Sequence, residues 1–146
     1  MTRVSGWGSL AIAMLVGVVL VAAQDRVDRD SKPTTVRVAL ARSLPPMKGE
    51  SLKITVAEIT YAPGAASAPH SHPCPVAGYV VAGAVRMQVK GEAEAVYRAG
   101  ESFFESANGV HLISANASGT EPAKFVVYFL CDHETQLSVP PVDGTK

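Results

Sequence analysis

Apolar residues recur along this chain at every second position, in short runs punctuated by glycine and proline. No stretch carries the 3.6-residue period of an amphipathic helix. In SLKITVAEITY, Leu52, Ile54 and Val56 alternate with Lys53, Thr55 and Ala57, which predicts a strand burying the Leu52 side, ended by the turn at Pro63 and Gly64. The segment GYVVAGAVRMQVKGEAEAVYRAGESFF predicts a strand through Val81, a turn at Gly83, a strand with Val85, Met87 and Val89 inward, a turn at KGE, and a short strand to Tyr97. HLISANAS and AKFVVYFLCD supply two more. Spaced strands with Gly and Pro between them specify an all-β class, an antiparallel sandwich or barrel.

The ends of the chain differ from this pattern. Arg3, an apolar run from Leu10 to Ala23 and small residues at the end of that run read as a secretory signal peptide, residues 1–23. The run is shorter than the ~20 residues that span a bilayer, so the expected mature protein is soluble and exported, periplasmic or secreted, with no membrane partner. QDRVDRDSKPTT alternates acids and bases with no apolar period and reads as a flexible linker, residues 24–35. SVPPVDGTK reads as an irregular tail, residues 138–146, which leaves one domain at residues 36–137.

Composition narrows the partners. The 13 Lys and Arg are matched by 13 Asp and Glu, so there is no basic patch for nucleic acid or an anionic membrane surface. A small molecule is the expected partner. Export places Cys74 and Cys131 in an oxidising compartment, where they are either bonded to each other or separate thiols.

The chemistry lies in HSHPCPVAGYVVAG. His70 and His72 stand two apart, so on an extended chain both imidazoles point to the same side. His111 opens another predicted strand. Three imidazoles converging in a small barrel form a neutral-ligand site for a divalent transition metal ion, Fe, Mn, Ni, Cu or Zn alike. Cys74 either adds a thiolate to that site or packs as a buried or bonded cysteine. Glu58 is either a carboxylate behind the ligands or a solvated outer residue. Glu101 and Glu105 bracket SFF and read as rim residues, and His133 as a surface residue. Tyr79, Val81, Val85, Met87, Phe103, Phe104, Leu112, Phe125, Val127 and Phe129 are the candidate apolar lining.

These residues resemble the cupin family. Gly64, five residues, His70-Ser71-His72, three residues, Val76, six residues and Gly83 reproduce the spacing of its first motif, with Val76 in the slot usually held by glutamate. Gly100 and His111 fall in register with the second motif. There Ser106 replaces the usual proline, Asn108 the usual glycine with Gly109 following, and Ala115 the usual asparagine with Asn116 one place later. The resemblance implies a double-stranded β-helix, the jelly-roll barrel of cupins, with His70, His72 and His111 as three of the usual four metal ligands, and it leaves a homodimer open. Without the glutamate, the site loses a negative charge that favours hard ions and a carboxylate suited to proton transfer. Two functions remain open: a metal-dependent, dioxygenase-like enzyme acting on a small molecule, or a non-enzymatic metal or small-ligand binding protein.

Overall fold

Eight strands follow one another in the described residues, with no helix between them. They are β1 Lys53–Tyr61, β2 His70–Ser71, β3 Val76–Ala82, β4 Ala84–Val89, β5 Ala95–Arg98, β6 Ser102–Glu105, β7 Val110–Asn116 and β8 Ala123–Cys131. The computed structural model describes residues 35–141. The expected signal peptide, nearly all of the expected linker and the last residues of the tail lie outside them.

The strands form two four-stranded antiparallel sheets, ordered β1-β8-β3-β6 and β2-β7-β4-β5, an arrangement consistent with a jelly roll. Inward-facing residues from both sheets make one core. Val76 and Val80 of β3, Val85 and Met87 of β4, Phe103 of β6, and Phe125, Val127 and Phe129 of β8 are all buried in it. Gly78 sits among them for steric reasons: it pairs with Phe103 across β3 and β6, and a Cβ there would penetrate the Phe103 ring. Gly83 bends the chain from β3 to β4 with φ of 69°, a left-handed conformation open to glycine at little cost.

The strand at β1 forms as expected, but its faces are reversed. Leu52, Ile54 and Val56 are 69%, 61% and 56% exposed, while Ala57, Ile59 and Tyr61 pack against the core. The apolar parity changes within the segment. Tyr61 meets the Phe125 ring at a centroid distance of 5.4 Å, and this anchor fixes which parity faces in, because a strand's side chains alternate strictly. Glu58 shares the outer parity and pairs with Lys124 at 2.9 Å, so it is a solvated residue remote from the histidines. The same parity argument removes Val81 and Leu112, 48% and 46% exposed, from the expected lining. Phe104 also lies outside, under the Arg42 guanidinium 5.2 Å from its centroid.

Three long-range ties close the barrel. Buried Asn116 donates from Nδ2 to the carbonyls of Ala62 at 3.0 Å and Glu121 at 2.8 Å, and its Oδ1 accepts from Ser118 N at 2.9 Å. Cys74 and Cys131 form a disulfide across a sequence separation of 57, binding the start of β3 to the end of β8. Ser71 and Val139 exchange two backbone hydrogen bonds, 2.9 and 3.0 Å, so the chain after β8 returns along β2 before the end of the described residues.

Replacing both cysteines in Cys74→Ala/Cys131→Ala is expected to lower stability by about 4 kcal/mol, the loop-closure entropy of a bridge of this span, measured by denaturant unfolding without reductant. Gly78→Ala is expected to be destabilised because Phe103 must leave its rotamer, seen as a lowered Tm against wild type.

Candidate metal centre

The chain approaching the histidines is laid along β7. Gly64 N donates to Ser118 O at 2.8 Å, Asn116 N to Ala65 O at 2.8 Å and Ser67 N to Ser114 O at 2.9 Å. This ladder ends with His70 directly opposite His111. Asn108, in the slot where the second motif usually has glycine, itself takes the left-handed conformation with φ of 63°, which asparagine tolerates better than most residues. Gly109 is not needed for that role. Asn108 N donates to His72 O at 2.7 Å, fastening the turn before β7 to the second histidine.

The three rings face one another. Centroids of His70 and His72 are 4.9 Å apart, of His70 and His111 5.0 Å, and of His72 and His111 5.5 Å. One donor nitrogen from each lies within 4.8 Å of the others. Metal–imidazole bonds of about 2.0–2.1 Å place neighbouring donors about 3–3.4 Å apart, so the three rings would draw closer together on a shared ion. His70 Nδ1 lies 2.8 Å from Ala68 O and His72 Nδ1 2.6 Å from Leu137 O. A carbonyl only accepts, so both Nδ1 atoms carry the proton and both Nε2 lone pairs are free, the tautomer that metal-binding histidines commonly adopt. The His72 ring is also held edge-on by Phe129 at 5.2 Å.

Glu105 completes this group. It lies at the end of β6, a strand too short and too close to the Gly100 turn to be predicted from alternation. It is buried, 7% exposed, where a rim residue was expected. The reason is parity again: Phe103 and Glu105 share the inner face of β6. Its Oε2 lies 2.7 Å from His111 Nε2 and 3.6 Å from His72 Nε2. Oε2 and both ring nitrogens of His111 are buried without a hydrogen-bond partner among the described residues. Close approach without alignment is the disposition of donors that share a third, cationic neighbour, and the donor set fits a divalent cation.

Burial holds the His72 imidazole below its ordinary pKa, outweighing the Leu137 carbonyl and the Glu105 carboxylate. Burial also pushes His111 down, but adjacent Glu105 more than offsets it and the net direction is up. Cys74 is taken up in its disulfide, which closes the thiolate alternative. His133 is exposed and pairs with its neighbour Asp132 at 2.7 Å. That contact and the Lys48 and Gly49 backbone amides hold the Asp132 carboxyl down at about 2. Beside His111 and Glu105 a small pocket opens, lined chiefly by Met87, Val89, Tyr97 and Phe103.

An antiparallel two-sheet barrel with His-x-His facing a third histidine defines a protein of the cupin type. The family model described as a cupin domain, Cupin_2, matches residues 57–129, and the chain belongs to that family. No curated protein sequence matches it. Among solved structures, the chain is similar to oxalate decarboxylase from Bacillus subtilis, in a structure concerned with its Mn(II) centres, with 28% identity over 60% of this chain and 23% of that chain and a TM-score of 0.50. A second oxalate decarboxylase structure, concerned with substrate binding mode and reaction specificity, gives 29% identity over the same 60% and 23% and a TM-score of 0.52. DMSP lyase DddQ from Ruegeria pomeroyi DSS-3, at 17% identity over 64% of this chain and 45% of that chain, shares the fold with a TM-score of 0.54. The chain spans less than half the length of each.

Protonation of His111, which the neighbouring Glu105 carboxylate favours, would compete with metal binding at this centre. Because the folded pKa of His111 is raised from 6.5, affinity is expected to fall as pH is lowered, with the fall beginning above that value. Chelator-competition titrations from about pH 8 to pH 5 measure it.

Proposed function

We propose that the protein is an exported cupin that holds one divalent transition metal ion on His70, His72 and His111 and acts there on a small, oxygen-bearing molecule as a dioxygenase-like oxidoreductase. The observation that carries the reading is the convergence of three histidines, two with Nδ1 committed to backbone carbonyls and one buried beside a carboxylate. A divalent ion at such a site supplies a Lewis acid for ligand oxygen atoms. The protein's own contribution is to orient the rings through Ala68 and Leu137 and to line the approach with Met87, Val89, Tyr97 and Phe103. No lysine or arginine lines that pocket, so an anionic substrate would depend on the ion for its charge partner. Similarity to oxalate decarboxylase with Mn(II) centres supports a metal-dependent small-molecule reading, and the Cys74–Cys131 disulfide supports export.

Elemental analysis of the protein recovered from its exported compartment is expected to give about one transition metal ion per chain. His72→Ala is expected to lose the metal while keeping the barrel's circular dichroism; full retention of metal in that variant overturns the assignment. A redox-active ion with substrate-dependent oxygen uptake supports the enzyme, whereas zinc without turnover moves the protein to the non-enzymatic binding reading.

A further inference from the structure

Val76 and Glu105 are register partners across β3 and β6. Both face inward, Val76 fully buried and Glu105 nearly so. The motif position that would have carried a carboxylate is therefore filled by a valine, while a carboxylate reaches the same interior from the neighbouring strand. Among the described residues Glu105 is the only buried acid, and nothing in the packing alone accounts for one there. Its Oε2 has no hydrogen-bond partner and lies 2.7 Å from His111 Nε2 and 3.6 Å from His72 Nε2. Two donors bonded to one ion at about 2.1 Å and near right angles stand about 3 Å apart, and these separations bracket that value.

From this placement we infer that Glu105 is the fourth protein ligand of the metal centre, supplied by β6 in place of the position occupied by Val76. This rests on the three-histidine reading and extends it. The consequence is a site with one anionic oxygen donor, which takes hard divalent ions such as Mn(II) better than a three-imidazole site does. A carboxylate on the metal also differs from one that merely pairs with protonated His111, because only the former is removed from the coordination sphere by mutation.

The full-length protein, stripped of metal, is titrated with Mn(II) and with Co(II), and the Co(II) complex is followed by its visible absorption. Glu105→Gln, which keeps shape and removes charge, is expected to bind Mn(II) at least about tenfold more weakly and to change the Co(II) spectrum. Glu105→Asp keeps a carboxylate and is expected to fall between the two. The exchange Val76→Glu/Glu105→Val, returning the carboxylate to the motif slot, is expected to recover Mn(II) binding. If Glu105→Gln keeps wild-type affinity and spectrum while His72→Ala loses the metal, Glu105 is not a ligand and the histidine centre stands. If His72→Ala also binds as wild type, the histidine centre itself fails. Should Glu105→Gln not fold, as judged by circular dichroism, the aspartate and exchange variants decide: wild-type behaviour in the first with no Mn(II) binding in the second overturns the inference.

Discussion

The pairing of His70 with His111 holds the site together, although β2, the strand that makes it, is only two residues long. An isolated pairing of that length would not persist in water. It survives because the preceding chain is already aligned on β7, because Val139 pairs with the other edge of Ser71, and because Asn108 binds the carbonyl of His72. Each of these ties uses backbone groups, so the ligand geometry is carried by the sheet rather than by flexible side chains. A site held by rigid elements loses less freedom when an ion binds.

Electrostatics then constrain what the interior can contain. A buried carboxylate without a partner is strongly disfavoured, and so are mutually facing imidazolium rings. Placed together they partly resolve each other: the Glu105 carboxylate raises the His111 pKa, and burial lowers that of His72. A divalent cation among the rings would offset both, giving the carboxylate a cationic neighbour and the facing imidazoles a shared acceptor for their lone pairs. The apolar surroundings from Phe129 and Met87 strengthen these interactions by excluding water.

The disulfide adds a second level of control. Cys74 lies two residues beyond His72, between Pro73 and Pro75, and its bridge to Cys131 fixes the loop between β2 and β3 against the end of β8. The chain leaving β8 then delivers the Leu137 carbonyl to His72. His72 and Leu137 thus lie on the two segments that flank the disulfide-closed loop, which the bond holds side by side.

Much of this was readable in the order of amino acids. Alternation and the Gly and Pro turns specified an all-β chain, and the His70-Ser71-His72 spacing put two imidazoles on one side, because side-chain period is a local property of an extended backbone. His111 joined them through its place at a strand start and the resemblance to the second cupin motif. The faces of β1, the burial of Glu105, its position opposite Val76 and the union of Cys74 with Cys131 were decided only by the tertiary structure. Each depends on which strands lie side by side and in what register. That is set by packing between residues far apart in sequence, as when Tyr61 against Phe125 turns Leu52, Ile54 and Val56 outward.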